Sequence, residues 1–520
     1  MNLIDDAWIP ALRNGQSTTI ALHEITDPGV TAIHGLPVDL HVGLLEMLVA
    51  MFTMAMTNPD IDDWHDLLES PPSADDIRVA FAPYRAAFNL LGDGPRFMQM
   101  PCPQEPTDLK AANPISTLIW GSAGDNTVKK NLDIIVHRDE EATLAPAMAA
   151  IALYSDLTRI QGSGAGNLSN IRKSNHVSFL VDLSSQYPQA PLWATIWGNV
   201  PCLEQGPLSP NSMEGALPWM RGDAIASSIA DLGSASLQTE RPDIERYFAT
   251  PRRIWLLEND EGNVASFLRK KKGFFYDDTE WSHPHSPYIQ VNVSGSKVAP
   301  APYKMVAENF PRMGAYELVA QSIKQIEPEV SDKQTAVLSI PAIQRAKIEV
   351  ETSGSDLQVI VVHQLADNAE MMGFSIDAGT QIPENPEEAL ALFEFDRVIK
   401  RTYAALEDSI GRLLAGNEKK SVPKLPSAFS LEQALIQFVD RTRERFRSLP
   451  LDDIAAPQTL SAWSRFVART AENTFREMFF DIALHGRPEE QEALLSAARD
   501  LRRLYPAKER QTDSPRRADQ

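Results

Sequence analysis

The chain has 520 residues, 43% of them hydrophobic, and sets 49 Lys and Arg against 70 Asp and Glu for a formal net charge of −21. That length leaves room for two or more domains with a real core, while the charge excludes a protein that coats nucleic acid over its whole surface, because phosphate neutralisation needs an excess of cations. Cys102 and Cys202 form no CxxC pair, so neither a disulfide framework nor a cysteine zinc site is supported, and a reducing cytoplasm fits best.

At the start of the chain, Asp5 and Asp6 occupy the place where a secretory signal needs an apolar run. Trp8-Ile9-Pro10 reads as the end of an edge strand. The longest apolar segment, Val42 to Met56, places Leu45, Leu48, Val49, Phe52 and Met56 at helical spacing and is interrupted by Glu46. It predicts a buried helix too short to cross a bilayer, so no membrane partner is expected. His65-Asp66 is an HD dipeptide without further ligands at helical spacing, which argues against a metal role.

Gly92 to Gln99 reads as a turn leading into the apolar anchor Phe97-Met98, and Pro101 to Pro114 as extended loop. The polar stretch Gly121 to Glu141 carries Lys129, Lys130, Asn131, His137 and Arg138. A connection this long is either a binding loop or a solvated one.

Ala145 to Arg159 predicts a helix, which the stretch Gly162-Ser163-Gly164-Ala165-Gly166 then ends. Three glycines on alternate positions, flanked only by Ser and Ala, leave backbone with almost no side-chain bulk. Asn167, Asn170, Arg172 and Lys173 follow, polar and basic, so the choice is between an ordinary surface loop and a loop that meets a polyanion. A dinucleotide fingerprint is disfavoured, since that motif opens a helix rather than ending one.

Val177 to Asp182 predicts a buried strand, and the region of Trp193, Trp197 and Trp219 reads as irregular. Arg269-Lys270-Lys271-Lys272 sits between Phe267-Leu268 and Phe274-Phe275-Tyr276. Such a cluster is either the solvated tip of a β-hairpin or a set of stacking and phosphate contacts. His283-Pro284-His285-Ser286-Pro287 demands a rigid turn and has no third ligand nearby, so it is not read as a metal site. Ile360-Val361-Val362 predicts a short buried strand ahead of a polar turn at Asp367-Asn368.

From Pro386 the apolar period becomes helical, with stripes of Leu392 to Leu413, Leu431 to Leu449, Leu460 to Ile482 and Leu494 to Leu504, broken at Gly416, at Pro450 to Pro457 and at Gly486-Arg487-Pro488. The expected architecture is α+β: a large mixed α/β domain over 1–382, a four-helix bundle over 383–505 and a disordered tail over 506–520. Net charge is divided unevenly, −20 in 1–382 and −2 in 383–505. Arg397, Lys400, Arg401, Arg441, Arg443, Arg445, Arg447, Arg465, Arg469 and Arg476 lie outside the apolar stripes, either as a solvated face or as a track for single-stranded nucleic acid.

Ile4-Asp5-Asp6-Ala7-Trp8-Ile9-Pro10, Phe97-Met98-Gln99, Ala150-Ile151-Ala152-Leu153-Tyr154 at its distance before the glycine stretch, the His283 to Pro287 motif and the closing bundle stand in an order that resembles the CasA family, the large subunit of the type I-E CRISPR surveillance complex Cascade. The resemblance implies a non-catalytic subunit that reads a PAM in duplex DNA from the minor groove while crRNA reads the sequence, and for this chain neither a cofactor nor a metal is expected. It places a glycine loop on Gly162, Ser163, Gly164, Ala165 and Gly166, a lysine finger on Lys271, with Lys270 or Lys272 as alternatives, and a strand-splitting wedge on Asp367, Asn368 and Ala369. The loop with Lys129, Lys130, Asn131, His137 and Arg138 would dock the subunit near the crRNA 5′ handle among the other Cascade subunits. The bundle would guide the displaced strand, and a helicase-nuclease would be recruited after R-loop formation. Asp367 departs from the uncharged amide commoner in the wedge, and the zinc cysteines of some relatives have no counterpart here. Two other classes stay open: a metal-dependent nuclease, and an acidic scaffold that binds only proteins.

Overall fold

The computed structural model describes residues 1–58, 60–100, 112–119, 143–159, 166–172, 176–221, 241–277, 281–294, 297–302, 358–367, 370–381, 386–416, 424–428, 430–447, 449 and 457–504. These residues fall into two compact units, one through Thr380 and one from Gln381 onward.

The first unit opens on strands β1 (Ala7–Arg13), β2 (Gln16–Ala21) and β3 (Val30–Ile33), with β1 in the middle of an antiparallel sheet. The expected edge strand is therefore central. Pro10 sits at the end of the ladder to β3, where its carbonyl still accepts from His34 N at 3.2 Å, so only the reciprocal N–H bond of that terminal pair is lost. Helix α1 (Val38–Met56) starts four residues before the apolar run. Its 19 residues are long and apolar enough to cross a membrane, which corrects the reading of the run as too short, yet most of them are buried in protein, as befits a core helix. Helices α2 (Ile61–Glu69) and α3 (Ala74–Phe81) follow, the second held by a capping box between Ser73 and Asp76.

Two further sheets and a hairpin complete this unit. Strand β4 (Asn113–Pro114) pairs with β7 (Val264–Lys270), which pairs in turn with β6 (Arg253–Glu258). Helix α4 (Pro146–Thr158) agrees with expectation and ends at Arg159. Strand β5 (Val177–Asp182) lies at one edge of the sheet β11-β10-β5, with β10 Gln358–Asp367, longer than the expected strand at Ile360 to Val362, and β11 Glu370–Gln381, a strand the sequence did not lead one to expect. The outer edge of β5 is occupied: Asn199 exchanges two hydrogen bonds with the Val181 backbone at 2.8 and 2.9 Å, and Phe179 N donates to His285 O at 2.8 Å. Helix α5 (Pro191–Trp197) stacks Trp193 on Trp197, regular structure where an irregular region was expected. Strands β8 (Tyr288–Ser294) and β9 (Lys297–Pro302) form a separate hairpin.

The second unit is helical: α6 (Pro386–Ala415), α7 (Leu431–Arg447), α8 (Pro457–Met478), α9 (Phe480–His485) and α10 (Pro488–Arg502). The four stripes point inward as expected, with Phe395, Leu406, Phe438, Trp463, Val467 and Leu501 all in one core. The third stripe is divided at Phe479, so Ile482 belongs to the short α9. Trp463 ties two helices together, its ring stacked on Phe395 at 5.3 Å and its indole N–H donating to Phe395 O at 3.2 Å.

Candidate nucleic-acid interface

The end of the glycine stretch and the basic cluster meet in space. Gly166 has φ +87°, a left-handed conformation that favours glycine. A Cβ there would lie 3.6 Å from Lys271 Cδ, and Leu168 N donates to Lys271 O at 3.0 Å. The two motifs thus share one backbone contact.

The basic cluster is not the tip of a hairpin. The β6–β7 turn is the acidic stretch Asn259 to Asn263, closed by Asn259 N donating to Asn263 O at 2.8 Å, and Arg269 to Lys272 lie at the opposite end of β7. The strand direction puts them there, because the cluster follows β7 instead of linking it to β6. Lys270 pairs in register with Arg253 and is half-buried, whereas Lys271 and Lys272 are exposed. Arg269 turns inward, 3.7 Å from Asp156. Burial pulls its guanidinium pKa down, against the pull of Asp156. The chain after the lysines is pinned at Gly273, where a Cβ would collide with Thr250 O and where the amide donates to Pro251 O at 2.7 Å.

Beneath this contact lies a set of buried charges. Glu46, in the middle of α1, is fully buried, and its Oε2 lies 2.8 Å from Arg159 Nη1 and 2.7 Å from Arg172 Nη2. Arg172 Nη1 adds a bond to Glu46 Oε1 at 2.9 Å and one to Ser178 Oγ at 2.9 Å, and Nη2 is 2.6 Å from His283 Nε2. Burial alone would raise the Glu46 carboxyl, but Arg159 and Arg172 outweigh it and hold it well below the usual carboxylate range. His283 is pushed well below its ordinary value by burial and then by Arg172. A guanidinium offers only hydrogens, so Nε2 must carry the lone pair of a neutral ring. Arg252 forms a second tie: Nη1 donates to Leu168 O at 2.8 Å, and Nη2 bonds both the backbone carbonyl and, at 3.0 Å, the carboxylate of Asp156.

These contacts correct one expectation. Asn170 and Arg172 read as polar and basic surface that faces a polyanion, but they are 1% and 0% exposed. Arg172 is drawn inside by the buried carboxylate of Glu46, which it shares with Arg159 within an apolar surround. The His283 to Pro287 turn serves the same framework, through His283 on Arg172 and His285 O on β5. Among the described residues no group of three His, Cys, Asp or Glu is arranged to hold a metal ion.

Of the other expected site residues, Gly162, Ser163, Gly164 and Ala165 lie outside the described residues, as do Lys129, Lys130, Asn131, His137, Arg138, Asn368 and Ala369. Asp367 is the last residue of β10 and Glu370 the first of β11, neighbours in one sheet, so the expected wedge falls between paired strands. On the bundle, Arg397 pairs with Glu394, Arg441 with Glu477 and Arg476 with Glu472, which neutralises part of the expected basic face. Sequence reading missed Glu46, Asp156, Arg159 and Arg252 as site residues. One signal was available, since a charge at the centre of an apolar helical run needs a partner.

The chain matches the family model of the CRISPR-associated protein Cse1 over residues 2–474. No curated protein matches it. Among solved structures it is similar to Thermobifida fusca Cse1, with a TM-score of 0.70 at 14% identity over 97% of this chain and 96% of that one. It is also similar to Thermus thermophilus CasA, with a TM-score of 0.68 at 16% identity over 97% and 98%. A chain of a CRISPR RNA-guided surveillance complex gives 0.65 at 14% identity over 96% and 99%. At such identities the likeness is one of fold, and the family follows from the sequence match: the chain belongs to the CRISPR-associated protein Cse1 family.

Proposed function

We propose that the chain is the DNA-recognition subunit of a crRNA-guided antiviral complex in the cytoplasm, reading a PAM through the minor groove with the glycine stretch and Lys271. The observation that carries this reading is the meeting of Gly166 with Lys271. Bare backbone can enter a groove that excludes bulk, and an adjacent cation reaches phosphate or a base edge. The minor groove offers a degenerate pattern, which suits readout of a short motif while base pairing supplies sequence. A net charge of −21 suppresses indiscriminate binding and leaves recognition to this small patch.

In the same reading, Asp367, Asn368 and Ala369 open the duplex, the loop around Lys129 to Arg138 docks on the complex near the crRNA 5′ handle, and a helicase-nuclease is received after R-loop formation. Family membership and the likeness to a chain of a surveillance complex support it. The test is equilibrium binding of PAM-bearing duplex to the assembled complex. Lys271→Ala and Gly164→Asp should each cost about 1–3 kcal/mol, selectively against a duplex with a scrambled PAM. Unchanged PAM affinity in both variants would refute the assignment.

A further inference from the structure

We propose that Glu46 and Arg172 are positioning residues for DNA recognition: their buried ion pair fixes the segment Gly166–Arg172 against the end of α4, so that Gly166 is presented beside Lys271. The inference rests on the DNA-recognition reading above and adds the part of the molecule that sets its geometry. Arg159 closes α4 and Arg172 closes the segment that follows, and both guanidiniums reach the one carboxylate of Glu46. The Arg172 contact is bidentate, at 2.7 and 2.9 Å, which fixes direction as well as distance. Ser178 Oγ and His283 Nε2 take up further edges of the same guanidinium and leave it one orientation. A single carboxylate on α1 therefore sets the separation between the two ends of the glycine-bearing loop.

Lysine in place of Arg172 keeps the charge but offers one nitrogen, which cannot span two carboxylate oxygens, a hydroxyl and an imidazole together. In the reconstituted complex, with occupancy of this subunit verified by native mass spectrometry, Arg172→Lys should weaken PAM-bearing duplex about tenfold, while scrambled-PAM duplex and complementary single strand change by less than about twofold. A folded Arg172→Lys complex that binds PAM duplex like wild type would overturn the proposal, as would equal losses on PAM and scrambled duplex, which mark general damage. Should Arg172→Lys fail to incorporate, Ser178→Ala carries the test, because it deletes one Arg172 partner without changing charge. It should cost about threefold on PAM duplex alone, and no loss would overturn the proposal. Lys271→Ala run in parallel separates the two levels: if it lowers PAM affinity while Arg172→Lys does not, only the positioning role falls; if neither matters, the DNA-contact reading falls with it.

Discussion

The first unit has surface ion pairs such as Arg78 with Asp75 but also buries a cluster of charges, whereas the described pairs of the second unit each keep at least one partner at the surface. Glu46, Arg159 and Arg172 are 0–1% exposed, whereas the side chains of Arg441 and Glu477 pair at 42% and 48% exposure and Arg397 with Glu394 at 54% and 46%. The bundle holds its shape with an apolar seam of Phe395, Leu406, Phe438 and Trp463, and its ion pairs decorate the outside, where each contributes little. The first unit places ionised groups where desolvation is severe and only full pairing offsets it. Such a cluster is a poor source of stability but a strict source of geometry, which suits a unit that must hold a loop end beside a lysine.

The comparison is tested most severely by Glu46→Gln, which removes the carboxylate that Arg159 and Arg172 share and should destabilise the first unit by about 3–5 kcal/mol. Hydrogen exchange should register the loss in peptides of α1 and α4 and spare α6 to α8. Protection unchanged in α1 would mean that the buried charges are not what holds this unit. In the bundle the matching cut is Leu406→Ala, at a fully buried core position, with an expected cost of about 3 kcal/mol from lost burial and the cavity left behind. Here the increased exchange should appear in α6, α8 and α10 and leave α1 as it was.

Acidification gives a smaller and graded version of the first cut. Burial depresses His283, with Arg172 adding to the effect, so below the ordinary histidine value near about 6.5 the unfolded chain takes up a proton that the native ring refuses. Stability should therefore be complete above that pH and fall as pH drops below it, by up to about 1.4 kcal/mol per pH unit for this group. Thermal melts between pH 7.5 and 5.5 would show it, and His283→Gln should flatten the profile. An identical slope in that variant would remove His283 from the account. The smallest effect belongs to Glu477→Gln, which breaks an exposed pair and should stay within about 1 kcal/mol in a urea titration.

The bundle was legible because its information is periodic and local. Phe395, Ile399, Leu406, Ile410 and Leu413 recur at helical spacing within one helix and all reach the core. The break at Phe479 was missed, since Met478 and Ile482 keep the helical period across it. In the first unit α4 and β5 were read correctly from short runs. For the basic cluster the hairpin-tip alternative fails, because the aromatics on either side of it say nothing about which end of β7 carries it.

The sequence by itself determined the family, the helical stripes of the bundle and the two motifs, glycine stretch and lysine cluster, through which recognition is proposed. Each is a matter of neighbouring residues and of period. Only the tertiary structure decided that Gly166 lies beside Lys271, and that Arg172 belongs to Glu46 and not to a nucleic acid. The physical reason is that ion pairing and close approach depend on distance in space. Glu46, Arg159, Arg172 and His283 come from four separate segments, and no local pattern announces which buried charge will neutralise which.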